Sequence, residues 1–274
     1  MSRKRNKKKS GIDIALLSCG LVGEKIFREC VDAVVREAEE YNANIYAYLN
    51  GAPKDEKRVY EEILADHPQI NVSQTTERFG FPAGANKAIK KGSAPLVLFI
   101  TDDIILHPGA LKSLVDRVES DDEIGLCGMK LIFPQDSADP SRPAGRIQHI
   151  GHAVDIRGEI VHPLIGWKPD NPKCNRSREV ISVTGGVFLV RRDTFIRAGG
   201  FWEGYGLGYF EDVDLNLNIR NLGRKIWIET DAVGTHYTNT SMLKADSPPN
   251  MEGNKMIFRM RNAQRLVNDN WTFW

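Results

Sequence analysis

Three groups of residues in this 274-residue chain have the types and spacing of reaction chemistry. Asp102-Asp103 closes an apolar run, Leu96-Val97-Leu98-Phe99-Ile100-Thr101. Adjacent carboxylates repel each other unless a cation or a donor-rich ligand neutralises them, so the pair suits a metal ion or a polar ligand. Asp is also a good helix N-cap, and Ile104-Ile105-Leu106-His107-Pro108 leads toward a helix, so capping is the competing reading. The second group is Glu211-Asp212-Val213-Asp214, behind a loop rich in aromatics and glycines, 201–210. Acids in a first turn stabilise a helix, but capping does not account for three of them behind such a loop. The third is His236, at the end of the strand pattern Ala232-Val233-Gly234-Thr235-His236, at the edge where the carboxylates also lie.

The elements that must position these groups alternate in type. Gly11 to Ser18 reads as a strand, and Ile26, Phe27, Cys30, Val31, Val34, Val35 and Ala38 recur at helical spacing from Glu24 to Tyr41. A strand at Asn44–Leu49 closes on the turn signal Asn50-Gly51-Ala52-Pro53. A helix through Val59, Ile63 and Leu64 precedes a short strand at Ile70–Val72. The run ending at Asp102 is uninterrupted, as in a parallel strand buried on both faces, and such strands deliver their C-terminal ends to a binding crevice. Arg78-Phe79-Gly80-Phe81-Pro82-Ala83-Gly84-Ala85-Asn86-Lys87 opens a helix with a Gly-rich loop, a place that favours phosphate. The alternation from 11 to 120 predicts a doubly wound, mostly parallel sheet. A helix from Ala110 to Glu119 and a strand from Ile124 to Met129 follow, then a proline-containing loop over 134–145. Gly145 to His162 reads as short strands with turns at Gly151 and Gly158. Its His149, His152 and His162 are expected to be exposed or loop histidines, since no carboxylate or thiol completes a metal set. Val180–Val190 reads as a strand broken at Gly185-Gly186, where a ligand approaches closely. Strands at Ile226–Ile228 and Ala232–His236 and a helix from Met251 complete the pattern, and Trp271, Phe273 and Trp274 end the chain.

Charged residues make up 27% and hydrophobic residues 41%, ordinary for a globular domain. No apolar run approaches the length of a membrane span, and no apolar stretch follows the basic N-terminus as in a secretory signal. Cys19, Cys30, Cys127 and Cys174 are irregularly spaced, as for reduced thiols in a cytoplasmic protein rather than a zinc site. Residues 3–9 hold six of the 37 basic residues and no acid; without them the chain carries 31 basic against 36 acidic residues, a net of −5. This arm reads first as a solubilising tail, and otherwise as a contact for nucleic acid or an anionic membrane surface.

In order, these stretches resemble the family 2 glycosyltransferases, inverting enzymes of the GT-A fold, over residues 11 to 240. Phe79-Gly80-Phe81-Pro82-Ala83-Gly84-Ala85-Asn86 is similar to the family's Gly-rich loop, and Ile100-Thr101-Asp102-Asp103 to a variant of its Asp-x-Asp motif. Thr184-Gly185-Gly186-Val187-Phe188-Leu189 with Gly199-Gly200-Phe201 is similar to its acceptor-side strand and turn, and Tyr209-Phe210-Glu211-Asp212 to its Glu-Asp motif. The resemblance implies an α/β GT-A fold, a Rossmann-like mostly parallel sheet flanked by helices, with a smaller acceptor-side sheet. It implies a basic arm (1–10), a catalytic domain (11–240, with donor half 11–130 and acceptor half 131–240) and a helical extension (241–274). It implies Mn2+ or Mg2+ bound by Asp103 and His236, and Asp212 as general base with Glu211 orienting acceptor hydroxyls. Ser18, Asn50, Arg78, Gly80, Asn86, Thr101 and Asp102 fall on the donor side, and Gly185, Gly186 and Trp202 on the acceptor side.

The partners implied are a nucleotide-sugar donor, a UDP-sugar first, and a saccharide, lipid-linked or DNA acceptor. A cytoplasmic enzyme, at most peripheral to a membrane, follows. Leu49 and Asn50 stand where many members carry an aspartate that reads uracil, with Asp55 as an unaligned substitute. The competing expectations are an enzyme that glycosylates a hydroxylated DNA base, a nucleotidyltransferase, and a non-catalytic nucleotide-sugar or glycan-binding protein.

Overall fold

The computed structural model describes residues 11–155, 157–238 and 250–267. The basic arm and the terminal Trp271, Phe273 and Trp274 lie outside the described residues. The first half alternates as its periodicity demands. It runs β1 (Ile12–Ser18), α1 (Glu24–Tyr41), β2 (Asn44–Asn50), α2 (Lys54–Ala65), β3 (Ile70–Thr75), α3 (Phe81–Ile89) and β4 (Leu96–Thr101). β5 (Ile104–Leu106), α4 (Ala110–Ser120) and β6 (Ile124–Ile132) follow. The second half holds β7 (Ile147–His149), β8 (Ala153–Val154), β9 (Ile160–Val161), β10 (Arg178–Glu179) and β11 (Val187–Arg191). It continues with α5 (Arg192–Arg197), α6 (Glu211–Asn221), β12 (Lys225–His236) and α7 (Met251–Val267).

One large, mostly parallel sheet runs β10-β12-β6-β11-β4-β1-β2-β3, with β5 on β12 and β7 on β6. β3, β2, β1 and β4 are mutually parallel, β6 is parallel to β12, and β11 lies antiparallel between β4 and β6. β8 and β9 make a separate two-stranded sheet. β1 and β6 are buried throughout, which explains why their sequences are unbroken apolar runs rather than alternating ones. Both sheet faces carry a core: Ile14, Leu16, Leu98 and Ile100 pack with α1 and α4 on one side, Ala15, Phe99, Phe188 and Phe201 with α3 and α6 on the other.

The order of strands puts β1, β4 and β11 at the centre, so the C-terminal ends of β1 and β4 and the glycines before β11 meet at one edge. Asp102 and Asp103 occupy a turn between β4 and β5 and cap no helix; α4 begins only at Ala110. The central strands are tied at their other end. Arg192 donates to Asp13 Oδ2 (2.7 Å) and to the carbonyls of Ile89 and Ala94, while Asn44 and the Ala94 amide also bond the Asp13 carboxylate.

Three sequence expectations change. The strand expected over Val180–Val190 is confined to β11, because the residues before it turn inward to the site; only Ser182 makes a bridge, to His152. The two strands expected over 226–236 are one strand, with a register irregularity between Glu229 and Val233. The histidines expected to be exposed are largely not: His149 and His152 are buried, because β8 and β9 fold back on the segment before β11.

α7 fastens the aromatic loop and the start of α6. Asn254 donates to the carbonyls of Tyr205 (2.8 Å) and Gly208 (2.6 Å). Arg261 and Asn262 both bond Asp214, which is fully buried. On the other flank the loop meets the entry to α3 with no room to spare. A Cβ on Gly80 would lie 1.7 Å from the Gly206 carbonyl oxygen. Gly80→Ala therefore forces the two loops apart, with an expected loss of about 1–3 kcal/mol in stability, as for other overpacked positions; denaturant unfolding of the variant checks it.

Candidate active site

The sheet edge opens into a cavity of about 550 Å3. Its walls bring together residues that stand far apart in the chain: Asp102 and Asp103 after β4, Gly185 and Gly186 before β11, Glu211 and Asp212 at the start of α6, and His236 at the end of β12. Asn50, Arg78 and Thr101 line it too. Four residues expected at the site do not. Ser18 lies behind the wall, its hydroxyl donating to Asp102 Oδ2. Asn86 is turned to the loop, where it bonds both the amide and the carbonyl of Phe201 and the Glu203 carboxylate. Gly80 supports the loop from behind, and Trp202 packs under Arg261, whose guanidinium is 3.9 Å from its ring centre. Asn50 lines the cavity, but its amide is spent on the backbone of Phe79, donating to the carbonyl and accepting from the N–H.

Asp103 and His236 face each other, carboxylate Oδ2 to Nε2, at 3.3 Å. Neighbouring ligands about 2.1 Å from one cation stand about 3 Å apart, so this pair has the spacing of two ligands on one ion. The remaining polar atoms fit that use. His236 Nδ1 lies 3.3 Å from Gln148 Oε1, an acceptor that would keep a proton on Nδ1 and free the Nε2 lone pair once a cation displaces the Nε2 proton facing Asp103. Asp103 Oδ1 accepts from the Thr101 hydroxyl at 2.7 Å. Burial pushes Asp103 up, but His236 and the Thr101 bond outweigh it and hold the carboxyl below its usual range. Asp102 is pushed up to about 7, by burial first and by Asp103 second.

On the opposite wall Asp212 Oδ2 accepts from the Gly185 amide (3.0 Å) and Oδ1 from the Val213 amide (2.8 Å). Gly186 accepts from the Thr101 amide at 2.9 Å, so the Gly185-Gly186 turn joins the two walls. Glu211 is buried, and its Oε2 bonds no described residue although it lines the cavity. Burial raises both carboxyls. Asp212 is lowered in turn by its two amide bonds and by His162, while Glu211 also feels the Asp212 charge and is driven well above its usual range. The charge of the pair thus resides on Asp212, the member with backbone donors. A helix N-terminus alone would hold such acids down; here burial wins.

A carboxyl whose folded pKa is raised costs stability once the pH exceeds its unfolded value. Glu211→Gln removes that raised carboxyl and is expected to increase stability at pH 7 by about 1 kcal/mol. Thermal unfolding from pH 7 down to about pH 4 checks the sign: the gain shrinks as the native glutamate becomes protonated in both states.

The sequence reading missed Gln148 and the convergence of the three histidines. No residue signal marks Gln148. The turns at Gly151 and Gly158 were a usable sign for His162, since a hairpin there returns it to His149.

The glycosyl transferase family 2 model matches residues 21–195, well over half of the chain. The O-antigen biosynthesis protein RfbC of Myxococcus xanthus is 27% identical over 232 residues, covering 82% of this chain and 17% of that protein. An N-acetylglucosaminyl-diphospho-decaprenol L-rhamnosyltransferase of Mycobacterium tuberculosis is 28% identical over 184 residues, 59% of this chain and 56% of that protein. The chain thus spans less than two thirds of either relative. Among solved structures, GalNAc-T7 with UDP, GalNAc and Mn2+ superposes with a TM-score of 0.65 at 15% identity, covering 84% of this chain and 44% of that one. The mannosyltransferase PcManGT of Pyrobaculum calidifontis, in complex with GDP-Man and Mn2+, superposes with a TM-score of 0.59 at 14% identity, covering 95% of this chain and 63% of that one. The fold is therefore GT-A, and among the described residues no helix is long and apolar enough to cross a membrane. With the family match spanning Asp102-Asp103 and the turn that carries Gly185-Gly186, this chain belongs to glycosyl transferase family 2.

Proposed function

We propose that this chain transfers a sugar from a nucleoside diphosphate sugar to an acceptor hydroxyl, with inversion at the anomeric carbon and with Mn2+ or Mg2+ at Asp103 and His236. One observation carries the reading: a single cavity has a carboxylate–imidazole pair at 3.3 Å on one wall and a backbone-held carboxylate, Asp212, on the other. The Mn2+ named in the two structural neighbours supports the same use of the first wall. The cation, when bound, offsets the charge that develops on the leaving diphosphate.

The chain's own residues do the rest. Asp103 and His236 hold the cation, with Gln148 fixing the imidazole tautomer and Thr101 the carboxylate. Asp102, held by Ser18, faces the donor. Asp212, fixed by the amides of Gly185 and Val213, takes the proton of the attacking hydroxyl. Attack from the Asp212 wall, opposite the leaving group, inverts the configuration. Glu211, with its unbonded Oε2, orients an acceptor hydroxyl. Leu207, Gly208, Tyr209 and Phe210 of the aromatic loop line the cavity and shape its acceptor side.

A UDP-sugar is the first donor to test. Because Asn50 is spent on Phe79, base recognition passes to other cavity groups, Arg78 among them. The test is a panel of UDP-, GDP- and dTDP-sugars measured for thermal stabilisation and nucleoside diphosphate release, with Mn2+ and with EDTA. At least one donor is expected to stabilise the chain, and to turn over, only with the metal. A donor that binds and turns over equally well in EDTA would sink the metal-assisted reading.

A further inference from the structure

His149, His152 and His162 converge beside the catalytic cavity, each offering a ring nitrogen within 4.8 Å of the others. Three histidines at such distances suggest a metal centre, but the hydrogen bonds of His149 argue otherwise. Its Nε2 receives two backbone N–H groups, from Gly151 (3.2 Å) and Thr184 (3.1 Å). Amide N–H groups only donate, so Nε2 carries no proton and the proton of the neutral ring sits on Nδ1. That nitrogen lies 3.3 Å from His162 Nδ1. A metal at His149 Nδ1 would require an imidazolate. A hydrogen bond from His149 Nδ1–H to His162 Nδ1 requires nothing further.

The consequence falls on His162. With Nδ1 accepting, its proton is on Nε2, for which no hydrogen bond to a described residue is found. His162 lines the cavity and is open to it, whereas His149 is fully buried. Asp212 lies near enough for its charge to act on His162. Burial and the neighbouring rings push His149 well below the ordinary histidine range, consistent with a neutral ring.

The backbone joins this pair to the base. Thr184 gives its N–H to His149, and the next residue, Gly185, gives its N–H to Asp212. One two-residue segment thus sets both the tautomer of the histidine pair and the orientation of the base.

We propose that His162 is an acceptor-binding residue whose Nε2–H, fixed by His149, holds a hydroxyl adjacent to the one that attacks. The acceptor class is a compound with neighbouring hydroxyls, a saccharide unit. One hydroxyl donates to Asp212, and its neighbour accepts from His162 and bonds Glu211 Oε2. His149 is a positioning residue. The proposal rests on the glycosyltransferase reading, so its test has one part that needs no turnover.

In the full chain labelled with 15N-histidine, long-range 1H–15N spectra at neutral pH are expected to show His149 as the Nδ1–H tautomer and His162 as the Nε2–H tautomer. His162→Phe, a change at an open side chain, is expected to move the His149 resonances. His149 found as the Nε2–H tautomer, or all three rings shifted together by one equivalent of Zn2+, would overturn the pair. In transfer assays with methyl pyranosides as acceptor probes, His162→Phe is expected to raise the acceptor KM about tenfold relative to the donor KM, the size of one hydrogen bond. His162→Gln, which keeps an N–H, is expected to recover part of that loss. Equal changes in both KM values would overturn the acceptor assignment. No transfer by the unaltered chain would count against the glycosyltransferase reading, while the tautomers would still judge the histidine pair.

Discussion

Asp212→Asn is expected to lower kcat by about 10²- to 10⁴-fold, the range for losing a general base, while metal-dependent donor binding persists. The expectation follows from what holds Asp212. Its two oxygens each accept a backbone N–H, from Gly185 and Val213, so the carboxylate has one orientation and keeps its charge beside a neighbour that gives its charge up. Asparagine cannot take the hydroxyl proton, and its amide turns one acceptor into a donor facing a backbone N–H. The variant should therefore also unfold at a lower temperature, and its kinetics belong well below that temperature.

The same geometry sets a pH profile. Burial raises Asp212 above the ordinary carboxylate value, about 4. The base works only when ionised, so kcat should fall as the pH drops, with its midpoint above that value. An acid limb at or below about pH 4 would move the base to another group.

Asp103→Ala carries the second large effect. It removes the carboxylate of the facing pair proposed to hold the cation and leaves His236 alone on that wall. The expected result is loss of Mn2+-dependent donor stabilisation and a fall in turnover of about 10³-fold, several kcal/mol of leaving-group stabilisation. Calorimetric titration of Mn2+ in the presence of a nucleoside diphosphate separates this from a fold defect. Retained metal binding would place the cation elsewhere. Asp102→Asn should be milder, because its carboxyl is already pushed up to about 7 and bonded to Ser18.

The alternation of strands and helices up to α4 was legible because each parallel strand is buried on both faces and each helix on one. The placement of Asp102-Asp103, Glu211-Asp212 and His236 at one edge followed from strand ends and motif order. The second half was less legible for a physical reason. β7 to β10 are two or three residues long, too short to show a period, and are held by pairings such as His152 with Ser182 that span long stretches of chain. Asn86 and Trp202 read as site residues because they sit in the right stretches, but side-chain direction decides, and theirs is away from the cavity, to the loop and to Arg261. The burial of His149 was hidden for the same reason, since a histidine's type does not reveal which backbone amides will meet it.

The proposed chemistry needs one cavity to join a cation-holding wall to a base on the opposite wall. The anomeric configuration of the transferred sugar, read by 1H NMR from the first turnovers with Mn2+, reports which wall the acceptor attacks from. Inversion relative to the donor is the predicted result. Retention of the donor's configuration would rule this arrangement out, because the acceptor oxygen would then bond on the face that the diphosphate leaves, away from a base on the Asp212 wall.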